Sequence, residues 1–277
     1  MTGSLTETGA SMPRQGRELG QKIRREMGRA IAAFDQIQND DRILVAVSGG
    51  KDSLCLLHFL SELKRRAPVR FDLIAVNVDQ GQPGFPARTL PTLFREWGVQ
   101  FHIETQDTYS IVLEKTPEGK AYCSLCSRLR RGILTSVARR LDCNKLALGH
   151  HREDLVHTFL LNALYSGKLG TMPPIYEVAE GGLSVIRPLC SVPESWLAEY
   201  ARMAGWPIIP CNLCGSQAGL RRAKVRELLN TLEKNDPEIR NSLFAALGNV
   251  HRNELLDRSL WSQNVPRRGP GAEQDLV

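Results

Sequence analysis

The chain has 277 residues, with 36 basic and 30 acidic side chains for a net charge of +6, and 42% of its residues are hydrophobic. At about 150 residues per domain this is one large domain or one domain with an appendage, long enough to bury a core without disulfide staples. The composition excludes collagen-like and wholly disordered chains. No apolar run approaches the roughly 18 residues a membrane-spanning helix needs, so no membrane association is expected. Seven cysteines and an N-terminal stretch lacking a basic and then apolar leader predict a cytoplasmic protein, whose paired cysteines serve metal or redox chemistry rather than disulfides.

Residues 1–13 are rich in Ser, Thr and Gly and are expected to be disordered. A helix is predicted over residues 14–39, where Leu19, Ile23, Met27, Ala30, Ile31, Phe34 and Ile37 recur mostly three or four apart. Its other faces carry Arg14, Arg17, Lys22, Arg24, Arg25 and Arg29. The apolar run 43–47 has the pattern of a strand buried on both faces, and Ser48-Gly49-Gly50-Lys51-Asp52-Ser53 follows it directly. Leu54, Leu56, Leu57, Leu60 and Leu63 then show helical spacing. A second strand is predicted at 73–78, a helix at 87–97 and a third strand at 99–104, with 106–122 irregular. A helix at 128–141, a strand at 145–148 and a helix at 154–165 precede a Gly/Pro loop at 166–182. A fifth strand at 183–187, a helix at 194–205 and helices at 220–233 and 237–257 complete the order, and 262–277 is a polar tail.

Strands alternating with helices predict an α/β fold with a doubly wound, parallel, five-stranded sheet and helical additions at both ends. The expected organisation is a tail at 1–13, a basic helix at 14–40, a nucleotide-binding domain at 41–218, helices at 219–260 and a second tail at 261–277. Ligands of such sheets bind at the carboxyl ends of the strands, beside the switch in strand order. That expectation places 48–53, Asp79 and 149–154 along one edge.

The loop at 48–53 has the parts of a phosphate site. Gly49 and Gly50 allow close backbone approach, the following helix offers free N–H groups and the positive end of its dipole, Ser48 and Ser53 add hydroxyls, and Lys51 adds charge. Its spacing matches neither the Walker pattern nor the dinucleotide fingerprint. Two CxxC pairs, Cys123/Cys126 and Cys211/Cys214, can meet only through tertiary structure. Such pairs suit zinc or iron–sulfur iron, and spacing alone favours a structural zinc held by all four thiolates. Cys55, Cys143 and Cys190 are expected to be structural.

Ser-Gly-Gly-Lys-Asp-Ser after a strand resembles the PP-loop of the N-type ATP pyrophosphatases. The runs Cys123 to Gly132, Gly149-His150-His151-Arg152, Met172-Pro173-Pro174, Ile186-Arg187-Pro188-Leu189 and 207–217 resemble, more narrowly, the tRNA 2-thiocytidine biosynthesis family. That resemblance implies ATP cleavage between the α- and β-phosphates, adenylation of a base oxygen of cytidine 32 in the anticodon loop, and replacement of that oxygen by sulfur. It implies a [4Fe–4S] cluster on Cys123, Cys126 and Cys214, with Cys211 outside the ligand set and one iron open to carry sulfur. It also implies Mg²⁺ at Asp52 and Asp154, catalytic roles for Lys51, Asp52 and Asp154, a sulfur donor such as a cysteine desulfurase, and a homodimer. Two departures stand out: Arg152-Glu153-Asp154 occupies the place of Arg-Asp-Asp, and Cys190-Ser191-Val192-Pro193 follows Leu189 in a way the family pattern does not. The competing readings are another PP-loop tRNA enzyme with structural zinc, making 2-thiouridine or joining an amine, and a non-catalytic zinc protein that binds tRNA.

Lys120, Arg128, Arg130, Arg131, Arg139 and Arg140 form a run without acids, and Arg221, Arg222, Lys224 and Arg226 follow the second CxxC. Each run can be a solvated helix face. Their adjacency to the cysteine pairs favours a tRNA backbone led toward the site, with Arg128, Arg130, Arg131, Arg221 and Arg222 as candidate contacts.

Overall fold

The computed structural model describes residues 12–115, 123–179, 181–209 and 220–260. The expected tails, apart from residues 12 and 13, and both Cys211 and Cys214 lie outside the described residues.

The centre is a six-stranded sheet ordered β3-β2-β1-β4-β6-β5. Strand β1 (Asp41–Ala46) lies between β2 (Phe71–Asp79) and β4 (Lys145–Ala147), and β3 (Phe101–Thr105) lies outside β2. Strand β6 (Ser184–Ile186) pairs with β4, and all of these pairings are parallel. The chain moves outward from β1 to β3 and then returns to the opposite side of β1. The switch point therefore falls between β1 and β4, and the segments after these two strands flank one crevice. Ile43, Leu44 and Val45 are fully buried, as a central strand covered on both faces requires.

The sixth strand, β5 (Ile175–Glu177), corrects the five-stranded expectation. It pairs antiparallel with β6, Tyr176 opposite Val185, through a turn in which Gly181 and Gly182 both take positive φ. Three residues between a Pro pair and this Gly turn carry too little alternation to show as a strand.

Helices cover both faces. On one, α1 (Arg14–Ala33), α2 (Lys51–Lys64), α3 (Thr89–Glu96) and α7 (Glu194–Ala204) share a core containing Ile23, Met27, Leu57, Phe59, Phe94 and Leu197. On the other, α5 (Cys123–Arg140) packs on β2 and β4 through Ile133, Leu134, Val137 and Ala138. Helices α8 (Leu220–Asn235) and α9 (Ile239–Ala246) pack on α6 (Arg152–Ser166), with Val156, Val225 and Leu229 at the contact.

Four helix boundaries depart from expectation. Helix α1 stops six residues early because Asp35 takes φ 47°, outside helical space. The apolar Ile37 that suggested continuation is buried in the connection instead. Helix α4 (Thr108–Lys115) replaces part of an expected irregular segment, started by Asp107, whose carboxylate accepts the Ser110 N–H at 3.0 Å. Helix α5 begins at Cys123, so the first CxxC occupies its first turn rather than a loop. The expected helix at 237–257 breaks after Ala246 into turns, with Gly248 just beyond. The basic α1 is tied to α2, where Arg24 pairs with Glu62 at 2.6 Å.

Candidate active site

Val47 to Gly50 leave β1 and turn into α2 at the crevice. Gly49 takes φ +88°, and a Cβ there would come within 2.8 Å of Ile209, so both the turn and the approach of the 207–209 segment require glycine. That segment is fastened by the Ile209 N–H, which donates to Gly49 O at 2.9 Å. Asn77 Nδ2, buried on β2, donates to Val47 O at 2.8 Å. Ser53 knits the loop internally, donating to Gly50 O at 2.8 Å and accepting from the Ser48 N–H at 3.2 Å. Ser53 is thus chiefly a loop brace, while Ser48, Gly50, Asp52 and Ser53 line the cavity floor. On the other side of the switch, a Cβ on Gly149 would lie 3.2 Å from the Asp52 carbonyl and the Ser53 nitrogen, so the two loops touch backbone to backbone.

Lys51 turns away from the phosphate cradle. Its ammonium donates to Glu194 at 2.9 Å and to Asp52 Oδ2 at 3.0 Å. Burial alone would lower the Lys51 pKa, but the Glu194 bond and the Asp52 charge outweigh it and raise it above the ordinary lysine value. Asp52 shares that lysine, is desolvated, and faces the like charge of Glu194. Burial, the largest cause, lifts its carboxyl pKa despite His151 and Lys51. Its Oδ1 is buried with no protein hydrogen bond, an acceptor suited to a cation.

His151, whose side chain is 6% exposed, stands among four carboxylates. Its Nε2 lies 3.5 Å from Asp154 Oδ2 and 4.0 Å from both Asp52 Oδ2 and Glu194 Oε1, while its Nδ1 lies 3.2 Å from Glu153 Oε2. Burial pulls its pKa down, but Glu153 and the other carboxylates raise it above 6.5. Asp154 Oδ2 accepts the His151 N–H at 3.1 Å and so fixes the start of α6. Glu153, at the position departing from Arg-Asp-Asp, accepts from Arg152 Nε and Nη2 at 3.0 and 2.8 Å and from the Glu194 N–H at 2.7 Å. The longer side chain lets α6 cap the N-terminus of α7. Its carboxyl is held at about 2, where the His151 and Arg152 partners outweigh burial.

A cavity of about 410 Å³ opens above the loops, within the usual range of small-ligand sites. Val76, Asn77 and Gln80 form one wall, Gly149 and His150 another, and Ser127, Arg130, Arg131 and Leu134 of α5 a third. Cys126 is buried beside this wall. Its thiol donates to Gln80 Oε1 at 3.4 Å, and Arg130 Nη2 lies 3.9 Å from the sulfur. A thiol so placed is a fitting donor to iron. The Cys123 side chain lies outside the described set, and among the described residues no three His, Cys, Asp or Glu side chains gather in a metal-holding arrangement.

The expected residues therefore fall in three groups. Ser48, Gly50, Asp52, Ser53, Arg130 and Arg131 line one cavity; Lys51 and Asp154 join the charge cluster beneath it; Arg128 and Arg222 are exposed, and exposed Arg221 stacks over Tyr165 at 5.0 Å. Arg130 and Arg131 belong to the cavity wall rather than only to an outer basic face. Glu194 carries no signal of its role in the sequence, and Arg187 stands there only as part of a motif, with no partner indicated for it. Nothing local ties Glu194 to a lysine 143 positions earlier, although its place directly after Pro193 marks a helix start.

A phosphate loop at the switch point of a parallel sheet, with a carboxylate cluster under it, defines a PP-loop nucleotide-binding protein. The PP-loop domain family model matches residues 20–232. Two relatives named tRNA-cytidine(32) 2-sulfurtransferase are each 52% identical over 89% of this chain: one from Acidovorax ebreus, 78% of which is covered, and one from Sorangium cellulosum, 87% covered. A third of the same name, from Marinobacter nauticus, is 48% identical over 99% of this chain and 92% of its own length. The chain belongs to the tRNA-cytidine(32) 2-sulfurtransferase family of PP-loop proteins. Among solved structures, the U34-tRNA thiolase NcsA from Methanococcus maripaludis with its [4Fe–4S] cluster superposes with a TM-score of 0.66. It is 24% identical, with 86% of this chain and 81% of that one covered, and attests the shared fold.

Proposed function

We propose that the chain is an ATP- and iron–sulfur-dependent sulfurtransferase that converts cytidine 32 of the tRNA anticodon loop to 2-thiocytidine. One observation carries the reading: a single cavity has the phosphate loop as its floor and α5, the helix bearing Cys126, as a wall. Activation and sulfur delivery can then act on one base without its leaving the site.

The Ser48 hydroxyl and the N–H groups at the start of α2 receive the triphosphate. The O2 oxygen of cytosine attacks the α-phosphorus, the bond to the β-phosphate breaks, and pyrophosphate departs. Asp52 and Asp154 would hold a Mg²⁺ ion, which would neutralise this leaving group, the orphaned Asp52 Oδ1 being the acceptor that favours it. Hydrosulfide then adds at C2 through its electron pair, its proton passes to solvent, and AMP leaves with the former base oxygen. Cys123, Cys126 and Cys214 would hold a [4Fe–4S] cluster, which would supply the sulfur-transfer chemistry when bound. Arg130 and Arg131 counter the charge of the adenylate and the nearby RNA backbone, and Arg128, Arg221 and Arg222 guide the tRNA from outside. To enter the cavity, the base must leave its stack. A cysteine desulfurase feeds the sulfur together with a thiol reductant that takes its persulfide sulfur to sulfide, and the protein works as a cytoplasmic homodimer. Among the described residues no helix is long and apolar enough to cross a membrane.

The test combines anaerobically purified protein, unmodified tRNA, ATP and sulfide, with AMP and modified nucleosides measured by mass spectrometry. A brown protein that makes 2-thiocytidine is expected. Asp52→Ala should keep the colour and cut tRNA-dependent AMP formation at least about a hundredfold, the scale of one strong electrostatic group. Formation of 2-thiouridine instead, or a colourless protein with stoichiometric zinc, would move the chain to another PP-loop tRNA enzyme. AMP formation unaffected by tRNA would refute the mechanism.

A further inference from the structure

His150 lines the cavity from the connection between β4 and α6, and its ring is held by a buried arginine. Arg187 Nε donates to His150 Nδ1 at 3.2 Å. A guanidinium has only donors, so Nδ1 must accept, and a neutral imidazole whose Nδ1 accepts carries its proton on Nε2. Arg187 cannot easily withdraw. It is 5% exposed, its Nη1 donates to Pro173 O at 2.6 Å, its guanidinium lies over the Tyr176 ring at 5.3 Å, and its backbone N–H donates to Gln36 Oε1 at 3.0 Å. Turning the ring over would place a carbon against Arg187 Nε and leave that buried donor unpaired. Protonating the ring would bring a second N–H against the guanidinium. Burial first, and then the Arg187 charge, press the His150 pKa down to about 4, so the ring stays neutral at physiological pH.

The cavity therefore contains a hydrogen-bond donor of fixed polarity, and this has a consequence for pyrimidines that rests on the function proposed above. Cytosine and uracil share the reacting O2 oxygen. They differ at the adjacent N3, a bare acceptor in cytosine and an N–H donor in uracil. We propose that His150, held by Arg187 as the Nε2–H tautomer, reads N3 of the flipped base, accepting cytosine and rejecting uracil. Arg187 is then a positioning residue and His150 a specificity residue. Neither has to exchange a proton during the reaction. With uracil, two donors would face each other in a desolvated site, a penalty on the order of ten- to a hundredfold in discrimination.

The experiment compares tRNA transcripts carrying C32 or U32 as substrates for the holoenzyme. The wild-type protein should favour C32 by at least about tenfold. His150→Gln replaces the fixed donor by an amide that can turn either its NH₂ or its oxygen to the base, and should lower the C32/U32 ratio of kcat/KM about tenfold. Arg187→Gln, which frees the tautomer, should move the ratio in the same direction. Should a variant be inactive on both substrates, binding of C32 and U32 anticodon stem-loops, with α,β-methylene ATP filling the nucleotide site, reads the same preference without turnover. Long-range ¹H–¹⁵N spectra of the wild-type protein should show a histidine with bare Nδ1 and protonated Nε2 that changes on Arg187→Gln. An unchanged C32/U32 preference in His150→Gln overturns the proposal. A raised KM for ATP with that preference intact would assign His150 to the adenine instead. Wild-type protein that thiolates neither transcript would refute the proposed function itself, an outcome distinct from either.

Discussion

Replacing Glu153 by Gln tests whether the carboxylate network under the phosphate loop is a structural necessity. The glutamate accepts on both oxygens: Oε1 takes two donors from Arg152, and Oε2 takes the Glu194 N–H at 2.7 Å and faces His151 Nδ1 at 3.2 Å. A glutamine has one oxygen and one NH₂, so whichever way it turns, one arm sets donor against donor. Truncating a buried pair typically costs about 3–5 kcal/mol. Here Arg152 keeps a bond to Asn241 at 2.7 Å and its side chain is 18% exposed, so water softens the loss. The lower end, about 3 kcal/mol, is expected. At roughly 2–4 °C per kcal/mol for a domain of this size, the melting temperature should fall about 6–12 °C. Denaturant and thermal unfolding at neutral pH measure this. Glu153→Asp should cost less, about 1 kcal/mol, because the charge survives but the shorter arm loses the cap on α7. A Glu153→Gln protein within about 0.5 kcal/mol of its parent would refute the reasoning.

Three further predictions follow from other parts of the molecule. Glu104 is bonded to Arg140 and to His102, and its carboxyl is held at about 2, first by His102 and then, against burial, by Arg140 and Gln106. A depressed carboxylate pKa stabilises above the unfolded value of 4.5 and loses that contribution as pH falls toward 2. Glu104→Gln should therefore lower stability at pH 7 by about 1 kcal/mol or less, as for an exposed pair, and the gap should narrow steadily below pH 4.5 in parallel unfolding curves. Gly149→Ala, whose Cβ would press on the Asp52 carbonyl at 3.2 Å, should displace the phosphate loop and reduce kcat/KM for ATP at least about tenfold; unchanged kinetics would show that the loops yield freely. For the cysteines, iron counts on Cys123→Ala, Cys126→Ala and Cys214→Ala should fall to background, whereas Cys211→Ser should stay brown and active; equal iron loss in Cys211→Ser would make all four thiolates ligands and close the open-iron scheme.

The phosphate loop was legible because its determinants are local: a buried strand, two glycines and a helix start within about ten residues. The parallel sheet followed from the alternation of elements, and its fold class put 48–53 and 149–154 along one edge, whereas the strand order and the switch between β1 and β4 depend on long-range pairing that alternation does not encode. What escaped was long-range or brief. Ile37 kept the helical period of α1 while its backbone had already left the helix at Asp35. The expected helix began at 128 because cysteine spacing takes no account of backbone conformation, and the packing of Ile133, Leu134 and Val137 against β2 and β4 anchors a helix that reaches back to Cys123. Glu194 and Arg187 acquire meaning solely through partners on distant elements, Lys51 and His150. The substitution of Glu153 for aspartate looked like a one-methylene departure, and the fold turns that methylene into a bond between α6 and α7.

The charge balance of the cluster bears on how the nucleotide must arrive. With Asp52, Glu153, Asp154 and Glu194 ionised, four negative charges face at most three positive ones from Lys51, Arg152 and His151, so the cluster beneath the phosphate cradle carries no positive excess. Lys51 is already shared by two carboxylates, so it offers little free charge to a triphosphate. Helix α2 supplies only the fractional charge of its dipole, about half a unit. A polyanion entering alone would meet no net attraction from the very group that bears the PP-loop lysine. On the function proposed above, a divalent cation entering with the nucleotide would cancel part of the triphosphate's negative charge, give the orphaned Asp52 Oδ1 its partner, and free Lys51 to move from Asp52 to a phosphate oxygen. On the function proposed above, the placement of Lys51 between two acids favours joint binding of cation and nucleotide, with Asp52 facing the cation while Glu194 holds the lysine in reach.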